Sequence, residues 1–164
     1  MIKDDNEYNR DMPSKIKGKF SKILVAIDGS QPSIDAAEYA IQMAKKDAAQ
    51  IIAITVNRIS LSSYGLATPE RELKSPQEKE IILKSKERFA SLDQIAKQNN
   101  VELKTELINS QMSIDGTIIE YAESEDVDLI IMGTRGRSGF TKLLLGSIAS
   151  AVVTYSPCPV MIIK

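Results

Sequence analysis

Asp128-Leu129-Ile130-Ile131-Met132 runs without a break into Gly133-Thr134-Arg135-Gly136-Arg137-Ser138-Gly139-Phe140-Thr141-Lys142-Leu143-Leu144-Leu145-Gly146-Ser147. Ile148-Ala149-Ser150-Ala151-Val152-Val153 then follows with helical spacing. A short continuous apolar run bounded by glycine reads as a strand buried on both faces. The glycines therefore fall where a buried strand ends and a helix begins. Glycine lacks a Cβ, so main-chain N–H groups there can approach a ligand closely. A helix start adds unpaired donors and a partial positive charge, and the combination suits an anion, most often phosphate. Between Leu129 and Lys164 there is no acidic residue, whereas Arg135, Arg137, Lys142 and Lys164 are all cationic. The whole chain carries a net charge of only −1, so the positive field is concentrated around the glycine segment.

Working outward, the same strand-to-helix alternation recurs. Lys22–Asp28 (KILVAID) is an apolar strand ending in a carboxylate, followed by a Gly29-Ser30-Gln31-Pro32 turn with Ser30 as the predicted N-cap. The next helix places Ile34, Ala37, Ile41, Ala44 and Ala48 on one face. Ile51–Val56 is a second buried strand, and Asn57–Lys74 a long loop. Ser75-Pro76-Gln77-Glu78 combines a cap, a first-turn proline and a capping-box glutamate. It opens a helix predicted to reach Gln98, with Ile82, Ser85, Phe89, Leu92 and Ala96 inward. Val101–Ile108 alternates partly and is placed at a sheet edge. A helix over Ser113–Glu123 turns Ile114, Ile118, Ile119 and Ala122 inward. The helix after the glycine segment is predicted to end near Tyr155, stopped by Pro157-Cys158-Pro159, and Val160–Ile163 is a last edge strand. Such alternation specifies a parallel sheet with helices on both faces, and ligands there lie outside the carboxyl ends of the strands.

Composition narrows the chemistry. The 164 residues suffice for one domain with a sizeable core. Near-neutral charge argues against a general nucleic-acid or membrane-surface binder. No apolar run reaches the ~20 residues of a membrane span, and the polar start lacks a secretory-type apolar segment, so a cytoplasmic location is expected. Residues 1–20 are polar and mixed in charge and are expected to form a flexible tail, with the domain over 21–164. The chain has no histidine, which removes Ser-His-Asp triads, Cys-His pairs and His-ligated zinc together. Its single Cys158 forms no internal disulfide and reads as a small packed side chain. No G-x4-G-K-[S/T] loop is present, nor a G-x-G-x-x-G after the first strand, so neither a P-loop NTPase nor an NAD enzyme is indicated.

The spacing Gly133, Gly136, Gly146, Ser147 matches G-x2-G-x9-G-[S/T], the nucleotide signature of the universal stress protein family, in full. KILVAIDGS, VDLIIMGTRGRSG and LLLGSIASAVVTYSPCPVMIIK resemble the family too, so the likeness covers essentially residues 20–164. The resemblance implies a five-stranded parallel sheet of order 3-2-1-4-5, a Rossmann-like, adenine nucleotide alpha hydrolase-like α/β fold. It also implies a homodimer that binds ATP, with Mg²⁺ able to enter through the phosphates. By position, Asp28 would hold the ribose beside the backbone of Ala26 and Ile27, Val56 would contact adenine, and Met132 and Gly133 would line the adenosine pocket. Gly136, Gly146, Ser147 and Ile148 would bind phosphates through N–H groups, helped by the Ser147 hydroxyl. Ile148 stands where the family often has valine.

Plainer roles remain open at each position. The glycines could serve tight turns and helix packing, Asp28 could brace the Ser30 turn, and Ser147 could be an N-cap. Arg135 and Arg137 could grip phosphates or face solvent. The expected function is an ATP-binding regulatory module of the stress response. The alternatives are a slow ATPase or transferase, a nucleotide-free interaction protein dimerising through Val160–Ile163, and a binder of AMP or a cyclic nucleotide. No residue is assigned a catalytic or metal-ligating role.

Overall fold

In the computed structural model, which describes residues 20–59, 76–134 and 145–164, β1 (Lys22–Ala26) takes the middle of a parallel sheet. It pairs on one side with β2 (Gln50–Arg58) and on the other with β4 (Leu129–Gly133). The outer strands are β3 (Leu103–Ser110) beside β2 and β5 (Val160–Ile163) beside β4, giving the order β3-β2-β1-β4-β5. This is the predicted α/β sheet, order included.

Among the described residues, four helices connect the strands: α1 (Gln31–Asp47), α2 (Pro76–Gln98), α3 (Ile114–Ser124) and α4 (Ser147–Tyr155). The apolar runs of the central strands are continuous because both faces are buried. Side chains alternate between the faces with period two. Ile23, Val25 and Ile27 of the β1 segment, with Ile51, Ala53, Leu129 and Ile131, pack under α1 and α2. Leu24, Ile52, Ile54, Ile130 and Met132 pack on the opposite face against Ile118, Ala122, Ala149 and Val152 of α3 and α4. Helices α2 and α4 thus lie on opposite sides of the sheet.

Helices α1, α2 and α3 end alike. A left-handed residue (Ala48, φ 52°; Asn100, φ 55°; Asp126, φ 52°) is followed by a buried apolar residue, Ala49, Val101 or Val127. The N–H of that residue donates back to the carbonyl of Ala44 (3.1 Å), Ala96 (3.0 Å) or Ala122 (2.9 Å). These are Schellman closures, which satisfy the last carbonyls and aim the chain into the next strand. They account for two departures from the sequence reading. Ala48 ends α1 and is exposed rather than part of its buried face. Val101 closes α2, so β3 starts two positions later than expected, at Leu103.

Strands β2 and β3 also run beyond the predicted ends, Val56 and Ile108. Asn57 pairs with Asn109 and Arg58 with Ser110, and the Asn57 side-chain amide donates to Asn109 Oδ1 at 2.9 Å. These polar residues carry no strand pattern; pairing alone extends them. The tail at 1–19, the segment 60–75 with Ser75, and the segment 135–144 with Gly136, Arg135 and Arg137 lie outside the described residues. Among the described residues no helix is long and apolar enough to cross a membrane.

Candidate functional site

The carboxyl ends of β1, β2 and β4 open into one cavity of about 370 Å³. That is the size range of small-molecule sites, ~300–1,000 Å³. It lies over the β1–β4 junction, where strand order reverses and parallel sheets bind ligands.

Asp28 follows the end of β1 and is held by its own turn. Its Oδ1 accepts hydrogen bonds from the Ser30 N–H (2.9 Å) and the Ser30 Oγ–H (2.6 Å). An aspartate bonding two residues on is an Asx turn, which fixes the carboxylate without help from a ligand. Both bonds converge on Oδ1, so among the described residues Oδ2 is left for another partner. Ser30 is the N-cap of α1 by position, but its hydroxyl serves Asp28 rather than the helix. Gly29 between them has φ 83°, a conformation open to glycine.

Ile27 is tied to β2. Its N–H donates to the Ile54 carbonyl (2.8 Å), and its own carbonyl accepts from Thr55 Oγ1 (2.9 Å). Its N–H is therefore not available to a ligand, while the carbonyl retains a lone pair. Ala26, Ile27, Asp28 and Val56 all line the cavity.

Met132 and Gly133 line it from β4. Gly133 is buried, and a Cβ built on it would lie 2.6 Å from the Pro32 carbonyl carbon and 2.7 Å from its oxygen. The packing role considered for this glycine is therefore present: the start of α1 rests directly on its Cα. Beyond it the Thr134 N–H donates to the Ile163 carbonyl (2.9 Å), and the Gly146 N–H donates to the Thr134 carbonyl (2.8 Å).

Gly146 and Thr134 thus close the base of the glycine segment. Without a ligand, the Gly146 N–H is engaged within the protein, while the residue itself stays on the cavity wall. Gly146, not Ser147, is also the N-cap of α4, with Ser147 the first helical residue. The first helical bond runs from the Ser150 N–H to the Gly146 carbonyl (2.8 Å), so the N–H groups of Ser147, Ile148 and Ala149 precede it and are the orphan donors of the helix start. Gly146, Ser147, Ile148 and Ala149 line the cavity.

The structure adds a wall that sequence reasoning did not assign. Ile81, Lys84, Ser85 and Arg88 of α2 face the same cavity, at the i, i+3, i+4, i+7 spacing of one helix face. Ser85 is 1% exposed, and its hydroxyl has no hydrogen-bond partner among the described residues. Lys84 pairs with Glu80 at 2.5 Å. The Arg88 guanidinium occupies the space above Gly29 that a side chain there would need, and it makes no ion pair or hydrogen bond among the described residues. The available signal was Ser85 itself, a hydroxyl at a core-facing position of an otherwise apolar stripe. Ile54, Ile114 and Ile118 complete an apolar floor.

The resolved titration shifts lie elsewhere, at the β3 edge. Burial, then its hydrogen bond to Glu106, raises the Tyr121 hydroxyl above the usual tyrosine value, and its bond to Lys104 helps raise that ammonium.

A model of the universal stress protein family matches residues 19–164. Universal stress protein MJ0531 of Methanocaldococcus jannaschii is 34% identical over 145 residues, covering 88% of this chain and 82% of its own. YxiE of Bacillus subtilis is 31% identical over 156 residues, with 88% and 99% covered. Among solved structures, UspA of Lactobacillus plantarum superposes with a TM-score of 0.73 at 25% identity, over 90% of this chain and 99% of its own. A universal stress protein in complex with cAMP superposes at 0.68 and 20% identity, over 90% of this chain and 99% of its own. One from Archaeoglobus fulgidus in complex with dAMP does so at 0.64 and 19%, over 90% and 100%. With the family model spanning residues 19–164 and two such relatives above 30% identity, this chain belongs to the universal stress protein family.

Proposed function

We propose that the chain is an adenine-nucleotide-binding regulatory module that takes ATP in this cavity and acts in the stress response through a nucleotide-dependent change of shape or partner. One observation carries the reading. A braced carboxylate, Asp28, and a helix start with orphan N–H donors, at Ser147–Ala149, line the same cavity. A carboxylate accepts from ribose hydroxyls, and a helix N-terminus accepts phosphate. The family relatives in complex with cAMP and dAMP support an adenylate as ligand. The full Gly133, Gly136, Gly146, Ser147 signature favours the triphosphate among adenylates.

In this reading Ala26, Ile27 and Val56 flank the nucleoside, Met132 and Gly133 sit beneath it, and Gly136, Gly146, Ser147 and Ile148 form the phosphate end. Among the described residues no three carboxylate, histidine or cysteine side chains cluster to hold a metal, so Mg²⁺ would be carried on the phosphates with waters. Among the described residues Asp28 is the one carboxylate lining the cavity, and it is assigned to the ribose, so at most slow hydrolysis is expected. The protein works in the cytoplasm as a homodimer through β5, whose outer edge is unpaired among the described residues. A monomer in sedimentation velocity at micromolar concentration would remove the dimer from this reading.

The experiment is calorimetry of the full chain with ATP–Mg²⁺, AMP and cAMP, alongside thermal melting. Ligand at a hundredfold excess over Kd stabilises by about 2.7 kcal/mol, a rise of roughly 5–10 °C for a chain of this size. Absence of heat and of any melting shift with all three adenylates would sink the reading.

A further inference from the structure

We propose that Ser85 and Arg88 of α2 form a second polar wall of the nucleotide site that binds the nucleoside end of the ligand, opposite the phosphate end at α4. The inference rests on the adenine-nucleotide reading above and adds to it two ligand-contacting residues.

Ser85 is the first observation. A hydroxyl that is 1% exposed and unpartnered carries an uncompensated desolvation penalty. Buried hydroxyls nearly always find a partner. Ser85 lies on the cavity wall with its oxygen shielded in the empty site, so a rotation about its Cα–Cβ bond presents the hydroxyl to a ligand that provides one.

Arg88 is the second. Its guanidinium lies against Gly29, adjacent to Asp28, and has no carboxylate partner among the described residues. The left-handed turn at Gly29 (φ 83°) leaves the space it occupies.

Placement decides which end of the ligand they meet. Phe89, Leu92 and Ala96 pack α2 on the α1 face, whereas Ala149 and Val152 pack α4 on the other. A nucleotide with its phosphates at the start of α4 and its ribose at Asp28 turns its nucleoside toward α2. The chemistry suits this end. A serine hydroxyl both donates and accepts, and so serves a purine ring nitrogen or an exocyclic amine. A guanidinium only donates, and so serves a ring nitrogen or a ribose oxygen.

The test compares wild type, Ser85→Ala and Arg88→Gln in the full chain, titrated with ATP–Mg²⁺ and with adenosine by calorimetry, with melting of each ligand-free protein. Ser85→Ala is expected to weaken ATP and adenosine in parallel, by about three- to tenfold, and Arg88→Gln by about tenfold. Ligand-free Ser85→Ala should melt at or slightly above the wild-type temperature, because it loses a hydroxyl that had no partner. Wild-type affinity in both variants would overturn the proposal while leaving the nucleotide reading intact. Weakening of ATP but not of adenosine would also overturn it, by moving the wall to the phosphates. If wild type binds neither ligand, the nucleotide reading fails and this inference fails with it.

Discussion

Gly133→Ala is expected to lower stability by about 1–3 kcal/mol, and Gly133→Val by more. The reason is space, since the added Cβ would meet the Pro32 carbonyl carbon at 2.6 Å and its oxygen at 2.7 Å. Those are backbone atoms at the start of α1 and cannot rotate away, as the end of a flexible side chain could. Relief requires α1 to slide off the end of β4. That movement opens the seam between Val25, Ile131 and the helix, and it drags the Asp28–Ser30 turn with it. For a chain of this size each kcal/mol is a melting shift of roughly 2–4 °C. Thermal melting of the ligand-free proteins measures the packing, and ATP titration of the surviving folded fraction measures the site. Nucleotide affinity should fall in Gly133→Ala beyond what the lost folded fraction explains. An unchanged melting point in Gly133→Val would show that α1 does not press on β4 as described.

That contact marks a boundary of what the sequence could reveal. The apolar runs at Ile23–Ile27, Ile51–Ile54 and Leu129–Met132 announce central strands because burial on both faces leaves no polar position in them. The turn residues between them announce a parallel α/β sheet, and the glycine spacing points at the end of β4. By contrast, Asn57, Arg58, Asn109 and Ser110 join strands only because β2 and β3 support each other. Val101 looks like a strand residue and instead closes a helix.

At the site, the sequence reading brought together residues from β1, β2, β4 and α4 that do line one cavity. It did not reveal the bond from the Gly146 N–H to the Thr134 carbonyl, which joins the two ends of the glycine segment. It overlooked α2 for a related reason. Lys84 and Arg88 have the look of solvated helix charges, and whether Ser85 has a partner depends on what lies opposite it in three dimensions. Local pattern reports burial well, but it does not report who bonds to whom.

Asp28 separates two roles that one residue fills, and substitutions there should pull them apart. Asp28→Asn keeps an Oδ1 acceptor for the Ser30 N–H and hydroxyl, so the Asx turn survives and the melting temperature should move little. It removes the negative charge that strengthens bonds from ribose hydroxyls. Asp28→Ala removes the turn as well, deleting the oxygen to which the half-buried Ser30 N–H and hydroxyl both donate, at a cost of about 1–2 kcal/mol. A hydrogen bond to a charged group contributes ~1.5–3 kcal/mol, and 1.4 kcal/mol is tenfold in affinity. ATP affinity should therefore fall roughly tenfold in Asp28→Asn and up to a hundredfold in Asp28→Ala, with only the alanine protein destabilised. Adenosine should show the same losses, because the contact proposed for the carboxylate is with sugar rather than phosphate. If both variants bind ATP as tightly as wild type while Asp28→Ala alone melts lower, the carboxylate braces the Ser30 turn and nothing more. In that case the ribose would have to be held by other atoms of the cavity wall, of which the free lone pair on the Ile27 carbonyl is nearest along the chain.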